Sequence, residues 1–152
     1  MLARLVAVGA GGTTHDVDEP VEGVVDVADV IVHRDHPLAA GDRVTPRDLV
    51  DEGWIATPDG TICRQWLTRM YAGTGRLPRI AHTSMEFESH LAMVRAGLGI
   101  ALVPRLGRSQ LGDELVAVPA HDPEPTRHVI AVHRRSMAAS PAITAVLAGL
   151  SR

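Results

Sequence analysis

Hydroxyl side chains that could bind a small polar molecule follow two short apolar segments of the chain. Thr57 comes directly after one such segment, and Thr83 and Ser84 come at the end of the next. If both segments are parallel strands, these hydroxyls meet at one edge of the sheet, beside the free N–H groups of the helices that follow. The same residue types also act as helix N-caps and turn residues. The residues alone therefore leave both interpretations open, and Thr61 is a weaker candidate of the same kind.

Other reactive side chains lack the partners that their chemistry needs. His82 and His90 are eight residues apart and have no third metal ligand at a suitable spacing. Ser84 is not part of a nucleophile-elbow motif, and Cys63 is best explained as a small packing residue. The glycine-rich segment 9–12 follows a strand, but neither a helix nor a lysine comes after it, so it is not a phosphate-binding loop. We therefore predict no catalytic residue, metal site or cofactor, and surface or helix-cap positions for both histidines.

The segment 80–104 has the pattern of a strand, a helix and a second strand. Thr83 and Glu86 are spaced as a capping box at the start of the helix. The apolar face of the helix follows at helical spacing and comprises Phe87, Leu91, Val94 and Leu98. Gly97 stands where a left-handed C-cap is needed, and Pro104 stops the second strand. This βαβ unit would place the start of its helix at the ligand-binding edge of the sheet.

The rest of the chain also alternates between strand and helix patterns. Strands are predicted at 5–8, 27–33, 54–56, 79–82, 115–118 and 127–134, and helices at 45–53, 61–72, 104–111 and from Ser140 to the end. Thr45 and Ser140 each precede a proline and are typical helix caps. Such alternation favours an α/β fold with a largely parallel sheet.

Composition excludes several classes of protein. The 152 residues suffice for one ordinary domain or two small lobes, and 45% of them are hydrophobic, which is typical of a folded chain. All 15 basic residues are arginine and they are scattered, so no nucleic-acid-binding patch is visible. One cysteine gives no disulfide framework. No apolar run approaches the roughly 18 residues of a membrane span.

Several motifs together match a known family. They are HPLA at 36–39, Asp48-Leu49, Trp54-Ile55, VRAGLGIALVP at 94–104, the strand 127–134 and Pro141-Ala142-Ile143. On these motifs the chain resembles the effector-binding domain of LysR-type transcriptional regulators from about residue 24 to the end. The string at 94–104 is the most specific of them.

The resemblance implies an α/β, two-lobed fold of the type 2 periplasmic-binding-protein kind, with the first lobe incomplete. Residues 1–43 are expected to belong to the first lobe, 44–104 to form the second, and 105–152 to return to the first. It further implies a ligand-sensing domain of a bacterial regulator, which binds a small polar or anionic effector between the lobes and is not an enzyme. The alternative is a free-standing small-solute-binding protein of the same fold.

The resemblance also implies binding residues and partners. In the family, the first turn of the helix that starts at Thr83 and the turn after the first strand border the effector cleft. The implied effector-binding residues are Thr57, Thr61, Thr83, Ser84, Met85 and Gly9. The winged helix-turn-helix of the family has no counterpart here, so we expect DNA to be bound only through a domain absent from this chain. A cytoplasmic homo-oligomer without membrane contact is also expected.

Overall fold

The chain forms a mixed α/β structure whose helices are short and whose strands mostly pair with distant segments. The computed structural model describes residues 4–8, 20–132 and 139–150. The strands are β1 Arg4–Val8, β2 Pro20–His33, β3 Gly53–Ala56, β4 Arg79–Thr83, β5 Ile100–Pro104, β6 Leu115–Pro119 and β7 Thr126–Val132. The helices are α1 Ile62–Met70, α2 Phe87–Arg95 and α3 Pro141–Leu150. Single 3-10 turns cover Pro37–Ala40 and Arg105–Gly107.

Two compact units divide the chain. One unit comprises residues 1–26 and 126–152, and the other comprises residues 27–125. In the first unit β1 pairs antiparallel with β7, and the guanidinium of Arg127 donates to the buried carboxylate of Asp26 at 2.7 and 3.0 Å. The three-segment lobe division expected from the sequence stays a prediction. None of the helices in the described ranges is long and apolar enough to cross a membrane.

The sheet of the larger unit is mixed rather than largely parallel. Its strand order is β6-β2-β5-β3-β4, in which β3 runs parallel to both β4 and β5. β2 runs antiparallel to β5 and to β6. The expectation of a largely parallel sheet is therefore wrong. The βαβ pattern was visible because each parallel pair needs a crossover helix, whereas antiparallel pairing of distant strands leaves no such pattern.

Two hydrophobic clusters lie on opposite faces of this sheet. Successive strand residues point to opposite faces, so Trp54 joins one cluster and Ile55 joins the other. Helix α1 adds Trp66, Leu67 and Met70 to the first cluster. Helix α2 adds Leu91 and Val94 to the second. The β3 strand, buried along its whole length, is thus held between layers that come from the two helices flanking the candidate site.

The element boundaries confirm some predictions and correct others. Gly97 has φ +71 and ends α2 as expected, but Leu98 is 46% exposed and does not belong to the apolar face of that helix. The capping box is wrong, because Thr83 ends β4 and the N-cap of α2 is Glu86, which makes no side-chain capping bond. The helix predicted at 104–111 is only the turn at Arg105–Gly107.

A buried hydrogen-bond chain joins β3 to the end of α1. The indole of Trp54 donates to the hydroxyl of Tyr71 at 2.7 Å, and this hydroxyl donates to the carbonyl of Leu49 at 2.6 Å. Trp54 and Tyr71 are at most 1% exposed, so burial raises the pKa of Tyr71, partly offset by the bond from Trp54. The indole N–H of Trp54 is satisfied by Tyr71, and the carbonyl of Leu49 also accepts from the amide of Glu52.

Replacing Tyr71 by Phe is expected to lower the free energy of unfolding by about 2 kcal/mol. The change leaves the indole N–H of Trp54 buried without a partner, which costs roughly 1–3 kcal/mol, whereas the carbonyl of Leu49 still accepts from the amide of Glu52 at 3.1 Å. Urea titration followed by tryptophan fluorescence measures it, because Trp54 contacts the altered ring edge-on. A cost below about 0.5 kcal/mol would show that this hydrogen-bond network does not stabilise the fold.

Candidate functional site

The candidate site lies at the edge of the larger unit where β3 and β4 end side by side. Ala56 pairs with Thr83 in the parallel register, and the amide of Ser84 donates to the carbonyl of Ala56 at 3.0 Å. This bond brings the segment after β4 next to Thr57, which follows β3. The neighbouring strand ends thus carry hydroxyl side chains at one sheet edge, which is where ligands bind in α/β folds.

A hydrogen-bond chain defines the role of each threonine after β3. Thr61 is the N-cap of α1, and its hydroxyl accepts from the amide of Arg64 at 3.2 Å and donates to the carbonyl of Pro58 at 2.8 Å. Its oxygen also lies 2.7 Å from the hydroxyl oxygen of Thr57. Since Thr61 has a single hydroxyl hydrogen, Thr57 is the donor in this pair. Thr61 therefore serves as a helix cap, and the Thr57 oxygen keeps accepting capacity.

A cation that the sequence analysis did not select also belongs to this edge. Arg64 donates from Nη1 to the carbonyl of Thr57 at 3.0 Å, and its Nε lies 3.8 Å from the carboxylate of Asp59. The Arg64 side chain is only 17% exposed, whereas that of Asp59 is 93% exposed. A basic residue in the first turn of a helix opposes the helix dipole. That unfavourable placement is the sequence signal that could have identified Arg64.

His90 is buried, contrary to the prediction from the sequence. It was expected at the surface or in a cap, but it is 1% exposed. Its Nε2 lies 2.9 Å from the carbonyl oxygen of Ser84, which holds the turn after β4, and its ring contacts Phe87 edge-on. Its Nδ1 is buried and has no hydrogen-bond partner. The prediction failed because a lone histidine at an apolar helix position does not reveal what lies opposite it.

A small cavity opens beside these groups. It has a volume of about 10 Å³, and its lining includes Thr57, Cys63, Phe87 and His90. A larger pocket of about 310 Å³ lies at the opposite end of α1, against Met70 and Gly73. On volume alone, the larger pocket would be the preferred ligand-binding site. We favour the strand edge, because it combines converging hydroxyls, a cation and a buried unpartnered nitrogen.

The predicted binding residues thus differ in their surroundings. Thr57 is buried, Thr61 and Ser84 are half-buried, and Thr83 and Met85 are exposed, with Met85 at 60%. Gly9 lies outside the described residues. Thr83 is a strand residue and not part of a helix turn, although it still ends at the same edge as Thr57. In the described ranges no cluster of three His, Cys, Asp or Glu side chains could hold a metal ion.

Comparison with known proteins gives a consistent result. The family model described as the LysR substrate binding domain matches residues 26–152. The hydrogen peroxide-inducible genes activator of Pectobacterium carotovorum is 29% identical over 119 residues, which is 77% of this chain and 37% of that protein. The chain therefore spans little more than a third of the length of this relative.

Solved structures with the same fold are more distant in sequence. The reduced OxyR regulatory domain of Pseudomonas aeruginosa matches with a TM-score of 0.78 at 19% identity, over 96% of this chain and 70% of that one. The CcmR regulatory domain of Synechocystis, solved in complex with 2-PG, matches with a TM-score of 0.75 at 20% identity over the same shares.

Proposed function

Because the chain belongs to the LysR substrate-binding domain family, we propose that it is a ligand-sensing module that binds a small polar or anionic effector at the edge formed by β3 and β4. The fold is the type 2 periplasmic-binding-protein-like architecture of LysR effector-binding domains, as the resemblance implied. The family is one of transcriptional regulators. The specific site and ligand class proposed here are our inference.

One observation carries the choice of site. Two neighbouring parallel strands end with Thr57 and Ser84 side by side, and the guanidinium of Arg64 is held against the first of them. The hydroxyl of Ser84 and the ordered guanidinium of Arg64 can donate to carboxylates, phosphates and similar anions, whereas the Thr57 oxygen can only accept from a ligand.

The wider role of the module follows from its family. Ligand binding would change the arrangement of an oligomeric cytoplasmic regulator, whose DNA contacts come from a domain outside this sequence. The hydrogen peroxide-inducible genes activator that the chain resembles is more than twice as long, which supports a longer regulator as the working unit.

Thermal-shift screening followed by calorimetry tests the proposal. Small carboxylates, phosphate and sulfate are screened for a rise in the unfolding temperature, since a ligand that binds only the folded state stabilises it. Ser84→Ala, which removes a hydroxyl whose oxygen accepts from the amide of Glu86 and whose hydrogen can be donated to an anion, is expected to weaken binding of any hit about 5- to 10-fold, the effect of one lost hydrogen bond.

A matched variant makes the result specific. Thr68→Val removes an exposed hydroxyl of α1 that donates to the carbonyl of Arg64. It should leave the dissociation constant unchanged. A hit whose affinity is the same in both variants would remove the effector from this edge. A screen in which no compound binds would contradict the proposed function itself.

A further inference from the structure

We propose that His90 is a specificity-determining residue of this site, and that the effector carries a hydroxyl group that donates its hydrogen to the Nδ1 of His90, beside the accepting oxygen of Thr57. This inference rests on the proposed function, because it adds a ligand class to the same strand edge. It selects hydroxylated acids from the broader class of small polar or anionic molecules.

The bond to Ser84 defines the hydrogen-bonding capacity of His90. A carbonyl oxygen only accepts, so the Nε2 that faces Ser84 at 2.9 Å must carry the hydrogen. In a neutral ring the other nitrogen, Nδ1, is then a bare acceptor. It is buried, in a residue only 1% exposed, and has no partner. A buried polar atom in this state costs free energy unless a donor reaches it.

Thr57 offers a second acceptor in the same cavity. Its hydroxyl hydrogen is directed to Thr61, because Thr61 spends its own hydrogen on the carbonyl of Pro58. Toward a ligand, the oxygen of Thr57 can therefore act only as an acceptor. Two acceptors that line one cavity call for a donor, and neither of them suits a carboxylate oxygen.

The size and the surroundings of the cavity narrow the donor to a hydroxyl. A volume of about 10 Å³ holds a single heavy atom, comparable to one water molecule. Ile55, Leu67 and Leu102 form apolar parts of its wall, and a charged group there would lose its hydration without compensation. The guanidinium of Arg64 at the adjacent carbonyl also repels an ammonium group. A hydroxyl meets all of these conditions.

Matched pairs of acids test the inference by calorimetry. The probes are L-malate against succinate, L-lactate against propionate, and glycolate against acetate, which differ within each pair by one hydroxyl. The hydroxylated member of at least one pair is expected to bind the wild-type chain about 10-fold more tightly, as one or two neutral hydrogen bonds provide. Equal affinities within every pair that binds would overturn the hydroxyl subsite and leave the proposed function standing. No binding by any of the six acids would overturn the hydroxyl subsite, and the proposed function would fail with it only if phosphate and sulfate also did not bind.

The variant His90→Leu separates selection of the hydroxyl from anchoring of the turn. Loss of the bond to Ser84 weakens both members of a pair equally, whereas loss of Nδ1 weakens only the hydroxylated one. The 10-fold preference should therefore fall to about one in His90→Leu. The control His82→Leu makes the same change at an exposed histidine of β4, and the preference should persist in it.

A second measurement does not depend on how the variant folds. The ¹⁵N resonance of Nδ1 in the wild-type chain should shift when the preferred hydroxy acid is added. The deoxy partner at equal occupancy should leave this resonance in place. An equal shift with both partners, or none with either, would show that Nδ1 does not contact the hydroxyl.

Discussion

Gly99→Ala is expected to lower the free energy of unfolding by about 4 kcal/mol, the largest effect predicted for a single substitution in this chain. A Cβ atom there would overlap the carbonyl oxygen of Gly53 and lie 3.2 Å from its carbonyl carbon. Both contacts are with the backbone, which cannot rotate away. The φ of Gly99 is +149°, which side-chain-bearing residues rarely adopt. Overpacking and backbone strain each cost roughly 1–3 kcal/mol.

The contact lies between the start of β5 and the start of β3, the strand that leads to Thr57. A displaced β5 would also disturb Ile55, whose side chain lies 3.5 Å from the same position. Urea unfolding monitored by circular dichroism gives the stability, and the slope against urea shows whether unfolding remains two-state.

Gly73→Ala is the matched control for this substitution. An added Cβ at Gly73 has no atom within 4 Å, and its φ lies outside the left-handed region. Stability should therefore stay within about 0.5–1 kcal/mol of the wild type, and a small gain is possible because alanine restricts the unfolded chain. If both alanines cost the same, the close approach at Gly99 is not what makes glycine necessary there.

Asp29→Asn is expected to lower the free energy of unfolding by about 3 kcal/mol. Asp29 lies on β2 with its side chain only 3% exposed. It accepts from Nε and Nη2 of Arg105 at 2.9 and 2.7 Å and from Nη1 of Arg108 at 2.6 Å. Removing the carboxylate from such a cluster leaves its cations without a counter-charge, at roughly 3–5 kcal/mol for a buried pair. The value falls at the lower end because Arg105 is 46% exposed.

The same carboxylate makes stability depend on pH in a defined direction. Burial by itself would raise the pKa of Asp29, but the hydrogen bonds and positive charges of Arg105 and Arg108 outweigh it and hold the pKa below the ordinary value of 3.8. A group whose pKa is lower in the folded state binds fewer protons there than in the unfolded state. Its stabilising contribution is therefore complete above the unfolded pKa and is lost as pH falls through the folded one.

Unfolding free energies of wild type and Asp29→Asn should therefore converge in acid. We expect the full difference at pH 6–7 and a progressively smaller one below about pH 4. Asp51→Asn is the control, because it removes an exposed ion pair with Arg76. The Asp51 side chain is 90% exposed, and exposed ion pairs contribute little to the free energy of unfolding. A pH-independent gap between wild type and Asp29→Asn would show that ionisation of the Asp29 carboxylate is not what stabilises the folded chain.

Local patterns in the chain determined more of the architecture than of the site. Helical spacing identified α1 and α2, because burial of one helix face imposes a period that the residues themselves display. Short apolar runs identified β3, β5 and β6, because a buried strand needs apolar residues along its length. The string at 94–104 identified the family, and Thr57 and Ser84 could be selected because hydroxyls after adjacent strands are typical of ligand-binding edges.

Features that depend on pairing between distant segments could not be predicted in this way. Thr83 fits a capping box in sequence, but pairing with Ala56 extends β4 through it, and the backbone bonds of a strand then exclude the cap. The antiparallel placing of β2 against β5 and β6 joins segments about 70–90 residues apart, and no local period records it.

The chemistry of the candidate site depends partly on the local sequence and partly on the tertiary structure. The sequence by itself determined which residues carry hydroxyls near helix starts, since residue type and spacing are local properties. Only the tertiary structure decided that Arg64 lies against Thr57 and that His90 is buried with one nitrogen on Ser84 and the other unpartnered. Burial and partners belong to the packed chain: a side chain's hydrogen-bonding role is set by the groups opposite it, and these come from other strands and helices.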